Sequence, residues 1–152
     1  RTVSNERENV VLIVALILGG LIGYDRRKHG KPAGLRTLSL VALGSATFTV
    51  VGIEAMLQLA TAEAEAGIEA AVRLDTSRVI AGIVGGIGFL GAGAIIQGRG
   101  RVQGMTTASG IWVTAAVGVA SGLGQFLIAA ITTVLAMAVL VLLRRSSAED
   151  EE

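Results

Sequence analysis

Five continuous apolar runs, separated by polar or glycine-rich turns, dominate the chain. Along each run the apolar residues follow one another instead of alternating with polar ones, which is typical of membrane-spanning helices and not of barrel strands. A helix crosses the hydrocarbon core with about 20 apolar residues, and with fewer where the bilayer thins. The runs cover residues 10–24, 38–59, 79–97, 107–121 and 126–143. This pattern predicts an all-α polytopic membrane protein with five transmembrane helices in a glycine-rich bundle.

The composition agrees with a membrane protein. Of the 152 residues, 52% are apolar and only 16% are charged, against about 25% in soluble domains. The chain has no cysteine, which excludes disulfides, iron–sulfur clusters and thiolate zinc sites. Its single histidine, His29, excludes a poly-histidine metal site. We expect the lipid bilayer as a partner and no nucleic acid.

The distribution of Lys and Arg predicts the orientation of the spans, because cytoplasmic loops carry an excess of these residues. With five spans, nine of the 13 basic residues fall on one side of the membrane and four on the other. The nine are Arg26, Arg27, Lys28, Lys31, Arg36, Arg99, Arg101, Arg144 and Arg145, and the four are Arg1, Arg7, Arg73 and Arg78. We therefore expect a multi-pass protein of the plasma membrane with its N-terminus outside and its C-terminus in the cytoplasm.

The outer connection, residues 61–77, is rich in Ala and Glu and favours a short surface helix with an ion pair between Glu69 and Arg73. The segment from Asp75 onward offers N-caps for the third run. The acidic residues could collect divalent cations weakly, but a solvated helix face is the favoured interpretation. After a transmembrane domain of residues 1–145, residues 146–152 form an acidic cytoplasmic tail that we expect to be disordered.

Small residues recur at four-residue spacing in the runs and let helix backbones approach closely. The candidate packing glycines are Gly19, Gly23, Gly82, Gly86, Gly88, Gly91, Gly110 and Gly118. Because they concentrate in the third and fourth runs, we expect those helices to be central and the fifth to face lipid most. The same ridges could instead join two copies in a homodimer, although packing within the subunit is favoured. Residues 86–91 also match the dinucleotide fingerprint G-x-G-x-x-G, but they lie inside a membrane run and not after a strand, so no cofactor is firmly implied.

Residues 25–37 form the most polar turn, and the positive-inside rule with lipid headgroup contact accounts for most of its cations. It does not account for Asp25 at the membrane boundary or for Pro32, the only proline of the chain. Arg36 lies at the start of the next helix, where the helix dipole disfavours a cation. A cation in this position is expected to have a carboxylate partner. We hypothesise that Asp25 and Arg36 form an ion pair across the turn.

A second polar turn precedes the fourth run on the same side. Thr106 or Thr107 can cap that run and leave free backbone amides at the membrane surface. An anion or a partner carboxylate could bind there, although simple capping is favoured. Trp112, inside the run near its start, is placed to anchor it at the headgroups. Glu54 is the one acid well inside an apolar run, and it is either a functional intramembrane carboxylate or one that reaches water at the outer surface.

Three blocks of residues, taken together, carry a family resemblance. They are Gly23-Tyr24-Asp25-Arg26 with Gly30-Lys31-Pro32-Ala33-Gly34-Leu35-Arg36-Thr37, then Arg78 followed by Gly86-Ile87-Gly88-Phe89-Leu90-Gly91-Ala92-Gly93-Ala94-Ile95, then Gly104 with Thr106-Thr107-Ala108 and Ile111-Trp112. In this order they resemble the MgtC/SapB family of bacterial and archaeal membrane proteins.

The resemblance implies a five-span domain with a cytoplasmic C-terminus, a link to magnesium limitation and, in pathogens, to survival inside host cells. It implies regulation of other membrane proteins, including the ATP synthase, although family members are often labelled magnesium transport proteins. The matching positions that would carry the function are Asp25, Arg26, Arg36, Thr37, Thr106, Thr107 and Trp112. Many relatives have Glu in place of Asp25 and Gln in place of Gly82, and larger members add a soluble cytoplasmic domain.

The favoured function is a non-enzymatic regulator, linked to magnesium limitation and Mg²⁺ homeostasis, that docks on another membrane complex. The alternative is a transporter or channel for Mg²⁺ or another small ion or solute. A magnesium pathway needs carboxylate or carbonyl oxygens near mid-membrane, where only Glu54 is available, although a dimer would double that number. An enzyme is not expected, because Asp25 and His29 in one loop do not make a nucleophile–base set.

Overall fold

The structure, a computed structural model, describes residues 2–65, 75–98 and 101–149. These residues form five helices and a two-stranded hairpin: α1 Thr2–Lys28, α2 Leu35–Glu65, α3 Thr76–Gly93, β1 Ile96–Gly98, β2 Arg101–Gln103, α4 Met105–Gly122 and α5 Phe126–Glu149. Among the described helices, four contain a stretch long and apolar enough to cross a membrane: Glu6–Lys28, Leu35–Glu65, Thr76–Gly93 and Phe126–Leu143. The predicted class, an all-α polytopic membrane protein, is confirmed.

The remaining helix, α4, lies at the centre of the bundle and packs against each of the other four. Its buried residues include Thr107, Thr114 and Ser121. The hydroxyls of Thr114 and Ser121 donate to the carbonyls of Gly110 and Val117 at 2.7 and 2.8 Å, so burial leaves them satisfied. Because protein rather than lipid surrounds α4, small and hydroxyl-bearing residues suit it. This position explains why α4 does not carry the apolar surface of a lipid-facing span.

Small residues bring α1, α2 and α4 into close contact. A Cβ at Gly19 would lie 2.6 Å from the Cβ of Ala42, and one at Gly118 would lie 2.8 Å from the Cβ of Ser45. A Cβ at Gly118 would also collide with the carbonyl oxygen of Ala42, so this position accepts no side chain unless a backbone moves. The facing ridge on α2 consists of small buried residues: Ala42, Ser45, Ala46 and Thr49. The second run thus also carries small residues at four-residue spacing, a signal that the sequence prediction did not use.

In contrast to the expected central position, α3 lies at the edge of the bundle. Only Ile83 and Gly91 are buried among its residues, because the glycine ridge of α4 faces α2 instead. Within the described chain, no neighbouring residue comes within 4 Å of a Cβ built at Gly82, Gly86 or Gly88, so these glycines do not pack inside the subunit. α3 and α5 are the least buried of the four apolar stretches, and the expected lipid contact of the fifth run is therefore shared with α3.

The chain leaves α3 earlier than the third run suggests. α3 ends at Gly93, and the strands β1 and β2 form an antiparallel hairpin in which Gln97 pairs with Val102. After the hairpin, Gly104 has a φ of 92°, a left-handed conformation that favours glycine and turns the chain into α4. A hairpin of two three-residue strands is too short to show as an alternating pattern in the sequence.

Two other helices run further than their apolar runs. α2 continues to Glu65, into the predicted outer connection, while the predicted pair of Glu69 and Arg73 lies outside the described residues. α5 continues through residues 146–149, which belong to the tail expected to be disordered, because extending an existing helix costs little. At the start of α3, the side chain of Asp75 accepts from the amide of Ser77 at 3.1 Å, which confirms the predicted N-cap.

Candidate functional site

The turn between α1 and α2 reverses the chain through a Schellman motif. The amide of Gly30 donates to the carbonyl of Arg27 at 3.1 Å, and the amide of Lys31 donates to that of Arg26 at 3.0 Å. Gly30 has a φ of 63°, which glycine adopts without strain. Pro32 follows and cannot continue the helix. The motif thereby leaves the carbonyl of Pro32 beside the last turn of α1.

Arg26 links this turn to the start of α4. The residue is only 4% exposed. Its Nε and Nη2 donate to the carbonyl oxygen of Pro32 at 3.2 and 3.1 Å, and Nη2 also donates to Oγ1 of Thr107 at 2.7 Å. We call this set of Arg26, Pro32 and Thr107 the Arg26 lock. It joins the end of α1, the turn and the first part of α4 through one side chain.

Hydrogen bonds hold the guanidinium in place, and the charge of the neighbouring Asp25 adds an electrostatic attraction. The structure records no ion pair for Arg26 within the part of the chain that it describes. A buried charge is costly unless hydrogen bonds or an opposite charge compensate it, so the Pro32 carbonyl and the Thr107 hydroxyl are essential to this position. Gly110 packs against the guanidinium, because a Cβ there would lie in van der Waals contact with Nη1 at 3.8 Å.

The start of α4 is capped differently from the prediction. The N-cap is Gly104, whose residue type provides no side-chain hydrogen bond to the helix. Because α4 begins at Met105, both threonines lie inside its first turn and not at the cap. Thr107 is buried and accepts from Arg26 instead, whereas Thr106 is exposed. The predicted capping by Thr106 or Thr107 is therefore wrong, and Thr107 has a tertiary role.

Asp25 and Arg36 do not form the hypothesised ion pair. The recorded ion pair of Asp25 joins its Oδ1 to Nδ1 of His29 at 3.4 Å, and that ring nitrogen also lies 2.8 Å from the backbone carbonyl of Asp25. Asp25 makes a further interaction as well, so it is not an isolated carboxylate. Arg36 is exposed and, with Thr37, lines a groove between residues 36–48 of α2 and 79–90 of α3. The first turn of α2 thus directs Arg36 away from the α1 turn.

Trp112 and Glu54 lie away from the Arg26 lock. Trp112 is 53% exposed and borders a small cavity of about 180 Å³ between α3 and α4. Glu54 is exposed on α2, and its carboxyl lies near that of Glu8 on α1. In the described residues, no group of three or more His, Asp or Glu side chains is placed to hold a metal ion. The predicted polar cluster is therefore reduced to a network centred on Arg26 and Thr107, with Asp25 at its edge.

A helical pattern in α1 could have separated Arg26 from the other cations of the turn. Val11, Ala15, Gly19 and Ile22 are buried on one face of α1, and Arg26 continues this face at a spacing of four residues. By contrast, Arg27 and Lys28 fall on the exposed side. The acceptor carbonyl of Pro32 carries no such signal, because every residue offers a carbonyl and only the fold selects one.

The fold and the Arg26 lock define a helical polytopic membrane protein with a locked polar turn at one end of the bundle. The chain belongs to the MgtC family, whose model matches residues 12–148. It is 44% identical over 130 residues to Protein MgtC of Brucella abortus strain 2308, covering 86% of this chain and 48% of that protein. It is 38% identical over 136 residues to Protein MgtC of Salmonella typhimurium strain 14028s, covering 90% of this chain and 52% of that protein.

A third relative carries a different name. The chain is 40% identical over 130 residues to Protein SrpB of Synechococcus elongatus, covering 80% of this chain and 66% of that protein. The chain thus spans about half to two thirds of the length of these relatives. No solved structure matches it significantly. The family assignment confirms the resemblance found in the three sequence blocks.

Proposed function

We propose that this chain is a non-enzymatic regulator of other membrane proteins, linked to adaptation to magnesium limitation and to Mg²⁺ homeostasis. The observation that carries the proposal is the Arg26 lock, which fixes the turn against α4 by three hydrogen bonds. A surface that is already ordered loses little conformational entropy when a partner docks on it. Membership of the MgtC family supports the link to magnesium.

The exposed cations around the lock suit an acidic patch on a partner protein. Arg27, Lys28 and Lys31 are all exposed in or beside the turn. Complementary charge increases the rate and the selectivity of docking more than the affinity itself. In the topology that we propose, five spans place the N-terminus outside the plasma membrane and this cationic end on its cytoplasmic side. This orientation agrees with the positive-inside rule.

A transporter or channel for Mg²⁺ or another small ion or solute is the second candidate. The specific observation in its favour is the approach of Glu8 and Glu54, two carboxyl groups on neighbouring helices. Mg²⁺ demands near-ideal octahedral coordination and sheds its water reluctantly. Two acids at one end of a bundle are a weak basis for a path through it, so we favour the regulator. A homodimer, which would double the acids, is part of this second candidate.

The two candidates differ in ion flux. Purified protein in liposomes that contain a Mg²⁺-sensitive dye should show no protein-dependent entry of Mg²⁺. The same protein should support growth of its host at limiting Mg²⁺ when the chromosomal copy is deleted. Entry that disappears in Glu54→Gln but persists in Glu63→Gln, an acid further along the same helix, would contradict the regulator and establish the transporter.

The docking role is tested by cross-linking in native membranes. A photo-reactive group at position 28 should capture a membrane protein under magnesium limitation. Arg26→Gln should abolish that capture because it releases the turn, although position 28 itself is unchanged. Arg27→Gln, which removes an exposed charge and leaves the lock intact, should only reduce it. Equal capture by wild type and Arg26→Gln would contradict the proposal that the locked turn forms the docking surface.

A further inference from the structure

The helices α2 and α3 touch near one end of the bundle and diverge toward the other. At the closed end, a Cβ on Gly52 of α2 would lie 2.8 Å from a methyl group of Val79 on α3. Further along, no other described residue lies within 4 Å of a Cβ built at Gly44, Gly82 or Gly86. The result is a groove of about 1010 Å³ that widens toward the first turn of α2.

The walls of this groove are apolar for most of its length, and apart from the buried Ser45 its polar side chains lie at the wide end. Leu40, Phe48 and Leu90 are large apolar side chains that line it and are exposed. Arg36 and Thr37 line the wide end, in the first turn of α2. The groove therefore combines a long hydrocarbon-like surface with a single cationic end.

Among the residues that the structure describes, none is placed to neutralise Arg36. No hydrogen bond or ion pair is recorded for its side chain among the described residues. A cation in the first turn of a helix is disfavoured by the helix dipole, and an anion there is stabilised by both the dipole and the cation. The hydroxyl of Thr37 adds a hydrogen-bond donor at the same end. These groups together are complementary to a phosphate.

We propose that the groove between α2 and α3 binds one anionic phospholipid. Its phosphate contacts Arg36 and Thr37, and its acyl chains lie over Gly44, Gly82 and Gly86 toward Phe48. The charge of Arg36 at one end and the apolar walls beyond it match the amphipathic form of a phospholipid. A free phosphate would leave the apolar length of the groove uncovered. Lipid binding gives a function to Gly82 and Gly86, which do not pack inside the subunit. This function does not depend on the proposed regulatory role.

Native mass spectrometry of the full chain tests this proposal. The protein is purified in neutral detergent and incubated with an equimolar mixture of phosphatidylglycerol and phosphatidylcholine. One interfacial Arg contributes about 1 kcal/mol of attraction to an anionic lipid, so we expect about fivefold more retained phosphatidylglycerol than phosphatidylcholine. Arg36→Gln should reduce the ratio to near one, while Lys31→Gln, an exposed cation outside the groove, should preserve it.

A second pair of variants tests the groove itself. Gly86→Leu places a side chain in the groove and should reduce the retention of both lipids. Gly88→Leu adds the same side chain on the same helix, equally free of neighbours but outside the groove, and should change nothing. Both variants should fold, because a Cβ at either position would have no described neighbour within 4 Å.

Four results would overturn the proposal. Equal retention of the two lipids would remove the role of charge, and unchanged retention in Gly86→Leu would remove the role of the groove. Displacement of phosphatidylglycerol by millimolar inorganic phosphate would identify a free-phosphate site. A dimer that dissociates in Gly86→Leu would show that a second copy of the chain occupies the groove.

Discussion

Two glycine-rich surfaces of this bundle have opposite surroundings. Where α1 and α4 meet α2, the glycines are enclosed, and added side chains at Gly19 or Gly118 would collide with α2. On α3 the glycines at 82, 86 and 88 face open space in the described chain. A four-residue spacing of small residues therefore indicates that another group can approach the helix backbone closely. It does not indicate whether that group is another helix or a ligand. The comparison separates glycines that hold the fold from glycines available to a ligand.

The largest expected effect is at Gly118. Gly118→Leu should prevent folding or destabilise the protein by about 3 kcal/mol or more, because the side chain would collide with the backbone of α2. Gly86→Leu is the matched control and should change stability by less than about 0.5 kcal/mol. Thermal unfolding in detergent, followed by size-exclusion chromatography, measures both. Comparable losses in the two variants would mean that α3 is packed as tightly as α4.

Disruption of the Arg26 lock should have the next largest effect. Arg26→Gln leaves the Thr107 hydroxyl buried without its donor and weakens the contact with Pro32, which should destabilise the protein by about 2 kcal/mol. Arg27→Gln, its exposed neighbour, should be neutral within about 0.5 kcal/mol. Chemical unfolding in detergent gives the two free energies. An unchanged free energy of unfolding in Arg26→Gln would show that the cost of desolvating the guanidinium equals the stabilisation from its hydrogen bonds.

The sequence predicted the features that depend on a local pattern and missed those that depend on how the helices face one another. The five helices were predictable because continuous apolar runs need only local information. The role of Arg26 was within reach, since the residue continues the buried face of α1 at helical spacing. The position of Arg36 was not, because one residue in the first turn of a helix does not reveal which way that helix faces. The open face of α3 was equally hidden, since its partner depends on how α4 is rotated.

Thr107 is expected to have a moderate effect. Thr107→Val keeps the shape of the side chain and removes the acceptor of Arg26 Nη2, which should cost about 1 kcal/mol. Thr106→Val, at the neighbouring exposed position, is the control and should be neutral. In a double-mutant cycle with Arg26→Gln, the two losses should not add, because both variants remove the same hydrogen bond. Additive losses would place Thr107 outside the lock.

The smallest effect should appear in α3, where only Ile83 and Gly91 are buried. Asp75→Ala removes the side chain that caps α3 and should destabilise that helix by about 1 kcal/mol. Arg78→Gln is the control, because its 3.8 Å ion pair with Asp75 is exposed and such pairs contribute little. Since α3 is held by few buried side chains, the loss should appear as faster hydrogen exchange of α3 amides while the global unfolding temperature changes little. A fall in the global unfolding temperature as large as that of Gly118→Leu would mean that α3 unfolds together with the core. The two glycine surfaces would then differ in their contacts but not in their stability.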